Sequence, residues 1–313
     1  MEQRHHLRGL TRRRALTLAG GLGLAPFAAG FAAAQVATPI MTRPIPSSGE
    51  RLPVVGLGTD EYYSGAQGQS EALAAVVRTL VEGGGSVVDT SSDYGASETM
   101  IGAVLTEGAL RPRIFLATKL EKQALRPAEL QGSLKRLGVN KIDLMQVHNV
   151  TSDGQSLAPL RDFKAQGLVR YIGITTSVNS AFDAMEAVMR REKPDFIELN
   201  YSIGDREAEK RLLPAAAELG IATLIDIPFG GPGRTNLFGT VRGKKLPDWA
   251  RDFDAASWGQ FFLKYLLGNP AVTVVIPGTN KPDHMADNLG AGRGRLPDAA
   301  QRQQMARLID ELA

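Results

Sequence analysis

The sequence predicts an α/β protein: a closed (β/α)8 TIM barrel preceded by an N-terminal β-hairpin. Three observations carry this expectation. Eight short apolar runs rich in branched residues recur along the chain, helix-period segments separate them, and 313 residues leave room for one such barrel after a leader. A doubly wound open sheet is the alternative. Against it, no Gly-rich dinucleotide fingerprint follows the first run, and the GAGRGR at 290–295 follows a helical pattern and reads as a turn.

In chain order, the leader comes first. TRRRALTLAG (11–20) runs three arginines into an uncharged stretch that Gly20, Gly21, Gly23, Pro26 and Gly30 break too often for a stable membrane span. A basic start, a modest apolar core and Ala32-Ala33-Ala34 are the parts of a cleavable signal. The paired arginines make it resemble a twin-arginine export signal, which implies a periplasmic or exported protein; a Sec signal and a cytosolic tail are the alternatives. Residues 1–34 are therefore assigned to the signal and 35–313 to the barrel. Five arginines and one glutamate lie before Gln35, so the remainder of the 36 basic and 33 acidic residues sums to a net charge of −1. That balance argues against a nucleic-acid partner and a polybasic membrane patch. With no cysteine, disulfides and thiolate chemistry are excluded, and with His148 and His284 alone beyond the leader a histidine-cluster metal site is excluded too. A monomer is expected.

RPIPSSGERLP (43–53) reads as a hairpin able to plug the barrel's lower end. The eight expected strands are LPVVGLGT (52–59), SVVDT (86–90), RIFLATK (113–119), IDLMQVH (142–148), VRYIGIT (169–175), DFIELN (195–200), IATLID (221–226) and VTVVIPG (272–278). Between them, Leu73, Val76, Val77, Leu80 and Val81 share one helical face that Gly83 ends. Pro127 opens a second helix through Leu130, Leu134 and Leu137, closed by Gly138. Phe182, Met185 and Met189 mark another face, as do Phe262, Tyr265 and Leu266. The stretch 227–255 shows no clear period; after the seventh strand it is expected at the C-terminal rim as a lid or cofactor clamp, or else as a mobile surface loop.

Barrel active sites lie where strands end, which singles out Asp89, Lys119 and His148, with Tyr94 in the loop after the second strand. Singly, each has an ordinary structural reading. Together they can protonate an oxygen: Tyr94 donates, the Lys119 ammonium lowers its pKa by favouring phenolate, Asp89 keeps Lys119 charged, and His148 hydrogen-bonds a carbonyl. The set holds no nucleophile and no metal, so carbonyl reduction requires a hydride, for which a nicotinamide is the natural donor.

VVDTSSDYGASETMIG, IFLATK, KRLGVNKIDLMQVHN, KAQGLVRYIGIT, ELNYS and VIPGTNKPDHMADNL together resemble the aldo-keto reductase family across nearly the whole chain after the leader. The resemblance implies a catalytic tetrad at Asp89, Tyr94, Lys119 and His148, an aldehyde or ketone substrate, and a dinucleotide, with NADP(H) favoured over NAD(H). It places the nicotinamide against Thr175, Thr176 and Glu198, where relatives often carry Ser, Asn and Gln, and against Asp226, where many stack a Tyr. The Pro228-Phe229-Gly230 backbone would cover the pyrophosphate. The adenosine end would meet Gly278, Thr279, Asn280, Lys281, His284, Asp287 and Asn288; His284 stands where an Arg is common, and Lys281 is either a 2′-phosphate ligand or a solvated rim lysine. Tyr62, Tyr63, Trp249 and Phe253 line a substrate pocket or pack in the core. The altered nicotinamide positions leave open a dinucleotide-binding redox-sensing or scaffold subunit, and a cofactor-free sugar-binding or lyase barrel is the remaining alternative.

Overall fold

A computed structural model describes residues 38–313 except Tyr63, Gln67, Gly108 and residues 232–234; the segment expected to be an export signal lies outside these residues. The chain starts with an antiparallel pair, β1 (Thr42–Pro44) and β2 (Arg51–Pro53). Eight parallel strands follow: β3 (Leu57–Gly58), β4 (Val87–Asp89), β5 (Phe115–Glu121), β6 (Ile142–His148), β7 (Val169–Thr176), β8 (Phe196–Asn200), β9 (Ala222–Asp226) and β10 (Val274–Val275). Helices α1 (Gln69–Glu82), α2 (Ser97–Glu107), α3 (Pro127–Leu137), α4 (Ala158–Ala165), α5 (Phe182–Glu192) and α6 (Leu212–Leu219) fill the connections from β3 to β9. After β9 come a short α7 (Leu237–Thr240) and α8 (Trp258–Leu267), and after β10 come α9 (Pro282–Ala291) and α10 (Ala299–Leu312). No helix among the described residues is long and apolar enough to cross a membrane.

The strands pair in chain order from β3 to β10, and parallel bridges Val55–Val275 and Gly58–Gly278 join the two ends. This excludes the open-sheet alternative. At the seam Val275 N–H donates to Val54 O at 2.9 Å and Gly56 N–H to Val275 O at 2.8 Å. A Cβ on Gly58 would stand 2.8 Å from Ile276 O, so glycine is what lets β3 approach. The expected first strand is thus divided: Leu52 and Pro53 pair in the hairpin, and only Leu57–Gly58 form a barrel ladder. The last strand is also shorter than its apolar run, while β5 continues past Lys119 to Glu121.

The hairpin closes one end of the barrel. Ile45 and Leu52 pack with the interior side chains Phe115, Leu144, Tyr171, Phe196 and Leu224, and each such burial is worth about 1.5–3 kcal/mol. Polar ties fix the plug in place: Tyr171 Oη donates to Glu50 at 2.7 Å, and Arg170 bridges Glu50 to Asp143. On the outside, the apolar face expected for α1 is its buried face, with Leu73, Val76, Val77, Leu80 and Val81 all buried. α3 likewise begins at Pro127 and ends on Gly138 in the left-handed conformation.

The stretch 227–255 is more structured than its lack of period implied. It holds α7 and a 3₁₀ turn over Asp248–Phe253, and Val241, Ala250, Phe253 and Ala255 are buried. Only its first part reaches the cleft described below.

Candidate active site

The β4–α2 loop carries Tyr94, and buried hydroxyls hold it. Thr59 Oγ1 donates to Asp89 O at 2.8 Å and Ser97 Oγ to Thr59 Oγ1 at 2.8 Å, while Ser92 N–H donates to Lys119 O at 3.1 Å. Gly95 supplies the turn with φ +52°. Below it, buried Glu98 accepts from Thr118 Oγ1 and Arg136 Nε, both at 2.7 Å, and so ties α2 and α3 to the residue next to Lys119. Neither Ser97 nor Glu98 was expected to matter from the sequence.

Asp89 ends β4, His148 ends β6, and Lys119 sits two residues before the end of β5. Lys119 is 1 % exposed and lies beneath the cleft rather than at its surface. Its Nζ bonds Asp89 Oδ2, donates to Thr90 O at 2.9 Å, meets Glu198 Oε1 at 3.2 Å and stands 5.2 Å from the Tyr94 ring centre. The other Glu198 oxygen accepts from Gln146 Nε2 at 2.6 Å. One ammonium therefore faces two buried carboxylates, and Asp226 adds a third charge to the field on Asp89 and Tyr94.

This crowding sets the protonation states. Burial and the neighbouring Glu198 push Asp89 well above the usual carboxylate range, against the opposing pull of Lys119. Burial works against the charged form of Lys119, but Asp89 and Glu198 outweigh it and hold its pKa well above the ordinary value. At Tyr94, Lys119 pulls the pKa down, as the sequence reading expected; burial and the carboxylates of Glu198, Asp89 and Asp226 overcome that pull and leave it raised. The expected net lowering of Tyr94 is thus corrected, because the sequence argument counted the ammonium without the extra acids.

His148 packs edge-on to Tyr94 at 5.9 Å between ring centres. Its Nδ1 lies 2.6 Å from Glu121 Oε1, a partner that sequence reasoning missed because the third strand was expected to stop at Lys119. In the parallel register Glu121 stands opposite His148. Burial, then Lys119, lowers the His148 pKa, and Glu121 only partly restores it. A carboxylate beside a neutral imidazole favours the tautomer with its proton on Nδ1. Asp93 joins Glu121 and His148 in a set whose ligand atoms lie within 4.8 Å of one another.

A cleft of about 1500 Å³ opens above Asp89, Tyr94 and His148. Thr175 and Asp226 line it from the ends of β7 and β9, Glu198 from the middle of β8, and Pro228, Phe229 and Gly230 from the segment after β9. Gly278, Thr279, Lys281, His284 and Asn288 line it from beyond β10. Thr176 does not reach it: β7 runs through Thr176, so alternation turns that residue away and buries it, and Ser177 faces the cleft instead. Asp287 lines the cleft with both oxygens engaged, accepting from Ser257 Oγ at 2.6 Å and Gln260 Nε2 at 2.8 Å.

The aromatic expectations are also revised. Tyr62 is fully buried with its hydroxyl donating to Thr279 O at 2.9 Å, and Trp249 packs on Phe253 and Phe261 in the core; Tyr63 lies outside the described residues. Beside Tyr94, the aromatics lining the cleft among the described residues include Phe229, Phe238 and Trp258. Ser257 and Trp258 were missed, although Ser257 followed three residues later by Gln260 is a helix-start signature, and Ser257 Oγ does accept from Gln260 N–H.

Comparison with known proteins decides the family. The aldo/keto reductase family model matches residues 54–308. The chain belongs to the aldo/keto reductase family. An aldo-keto reductase, str7, from Strobilurus tenacellus is 26 % identical over 286 residues, spanning 78 % of this chain and 83 % of that protein. Among solved structures, an aldo-keto reductase from Bacillus halodurans in its holo form superposes with a TM-score of 0.69 at 22 % identity, covering 88 % of this chain and 96 % of that one. One from Klebsiella pneumoniae in complex with NADPH gives 0.68 at 20 % identity over 83 % and 92 %. The protein is an oxidoreductase of this family, and its barrel has the fold of these relatives.

Proposed function

We propose that the protein reduces an aldehyde or ketone with NADP(H) and that Tyr94 is the proton donor. The observation that carries this reading is a buried lysine, held by Asp89 and Glu198 and set under Tyr94, at a cleft that His148 also lines.

The cleft fits a dinucleotide. Its volume exceeds that of a usual small-ligand pocket, and α8 and α9 both begin at its lining, so their free N–H groups can receive phosphates. Gly230, with φ +76°, makes a turn in which a Cβ would meet Thr235 O at 1.7 Å, so the backbone there stays bare. Lys281 and His284 line the same cleft and suit a 2′-phosphate. Relatives from Klebsiella pneumoniae and Bombyx mori are solved with NADPH and NADP, which supports this cofactor over NAD(H).

A bound nicotinamide supplies the hydride, and the chain supplies the proton. As charge builds on the carbonyl oxygen, that oxygen becomes a stronger base than a phenolate, so even a raised Tyr94 hydroxyl gives up its proton. Lys119 then stabilises the phenolate left behind, and Asp89 and Glu198 keep Lys119 charged. His148 donates to the substrate oxygen only as imidazolium, because Glu121 holds the proton of the neutral ring on Nδ1.

Replacing Tyr94 by Phe is expected to lower turnover about 10²- to 10⁴-fold while dinucleotide affinity stays within about twofold. If wild-type protein reduces no carbonyl in a broad panel with NADPH or NADH, the reductase reading fails and the dinucleotide-binding subunit takes its place. We also propose export after folding, directed by Arg12 and Arg13. Replacing both by Lys should retain the protein in the cytoplasm, and unchanged export would refute this.

A further inference from the structure

Lys119 is shared by two buried carboxylates whose surroundings differ. Asp89 Oδ2 accepts from Nζ, but Asp89 Oδ1 is buried with no hydrogen-bond partner. Glu198 meets Nζ through Oε1 at 3.2 Å, and its Oε2 accepts from Gln146 Nε2 at 2.6 Å. That second contact crosses a strand. Gln146 lies on β6 and Glu198 on β8, and β7 between them carries Gly173 opposite Gln146. A Cβ on Gly173 would stand 2.8 Å from Gln146 Oε1, so the missing side chain is what lets the amide pass over β7.

Gln146 is itself fully buried, and its Oε1 has no hydrogen-bond partner. A barrel interior that needed only filling would favour an apolar side chain there, because an unmet buried carbonyl oxygen is costly. What the amide does at this position is hold Glu198.

We propose that Gln146 is a positioning residue: it keeps the negative charge on Glu198, so that Glu198 and not Asp89 is the counter-ion Lys119 retains when the pair takes up a proton. A hydrogen bond to a charged oxygen favours the charged form, and an oxygen buried without one disfavours it. Lys119 lies nearer to Asp89, yet burial and Glu198 still push Asp89 well above the usual carboxylate range. Asp226 adds to that push, and Tyr94 and His148 share the field of Lys119 and Glu198; all three are the same in every variant below. The proton comes from solvent through the cleft, which Asp89 lines. The use of this arrangement rests on the reductase reading: with one carboxylate held in its charged form, Lys119 stays an ammonium beneath Tyr94 as pH falls and Asp89 is protonated.

Infrared spectroscopy locates that proton without turnover. The C=O stretch of a protonated acid is followed as pH falls, in protein made with aspartate or with glutamate carrying carbon-13 at the side-chain carboxyl. The band of the pair is the one missing from both Asp89→Asn and Glu198→Gln, since a single carboxylate beside Lys119 stays ionised. In wild type it should shift with labelled aspartate and not with labelled glutamate. Gln146→Met keeps the length of the side chain and removes the donor. Losing a hydrogen bond to a charged group should change the proton's preference by about 10- to 100-fold, so part of the band should then shift with labelled glutamate. A wild-type band that follows glutamate, or no such band before the protein unfolds in acid, overturns the inference, as does a Gln146→Met band that follows aspartate alone. If the labels behave as expected but no carbonyl is reduced, the reductase reading fails and the assignment of charge stands.

Discussion

Replacing Glu121 by Gln tests what His148 does. The carboxylate lies 2.6 Å from Nδ1, and its side chain is 31 % exposed. A charge-assisted hydrogen bond is worth about 1.5–3 kcal/mol when buried, and partial exposure reduces this to about 1 kcal/mol. Losing it should cut the imidazolium population at a given pH about fivefold. His148 already titrates below its ordinary value because burial and Lys119 oppose the charge. The sign follows: imidazolium forms only as pH falls below that lowered value, carbonyl reduction gains a donor there, and Glu121→Gln moves this acid limb to still lower pH. Above it the variant gains, because the Gln amide can donate to Nδ1 and leave a proton on Nε2. Nitrogen-15 NMR reads the tautomer directly, and in protein that begins at Gln35 His148 and His284 are the only histidines, so the signals are separable. A wild-type ring protonated on Nε2 at pH 8, or a variant whose acid limb does not move, would refute the reasoning.

Three further outcomes are expected. Lys119→Met leaves Asp89 and Glu198 buried without their cation and should cost about 3–5 kcal/mol in urea unfolding, with part recovered on adding Asp89→Asn. Ile45→Ala removes a fully buried side chain of the hairpin plug and should cost about 2–5 kcal/mol in the same assay. Lys264 is buried against Arg293 O and Arg295 O, and burial lowers its pKa to about 8. The unfolded chain then holds a proton that the folded one has shed, so this group adds stability as pH rises from about 8 towards 10.5. Thermal unfolding should show that slope in wild type and not in Lys264→Met.

How far the sequence could be read depended on whether a residue's partners were local. β6 was legible to the residue because seven apolar and strand-compatible positions sit between a Lys and an Asn turn, and burial on both faces demands such a run. LPVVGLGT is just as apolar, yet its halves pair with different sheets, and no local pattern tells which partner each half takes. The placement of Asp89, Tyr94, Lys119 and His148 around one cleft was legible because each lies at or near a strand end. Their protonation was not, since it depends on Glu198 and Asp226 approaching from other strands. Glu121 was hidden by a two-residue error in where β5 ends; the register from Lys119 opposite Gln146 leads directly to Glu121 opposite His148. Trp249 and Phe253 were ambiguous because an aromatic suits a pocket wall and a core equally well.

The hairpin plug bears on the order in which the protein is made and completed. Arg43 is among the earliest residues of the barrel unit to leave the ribosome, yet its guanidinium donates to Asn269 O at 2.9 Å across 226 positions, and also reaches Leu267 O and Val272 O. Ile45 and Leu52 must likewise wait for Leu224, Val274 and Ile276 before they have anything to cover. Contacts this distant form late. The segment that opens the barrel unit is thus among the last to find its place, and until nearly the whole chain has emerged the growing barrel stays open at its lower end.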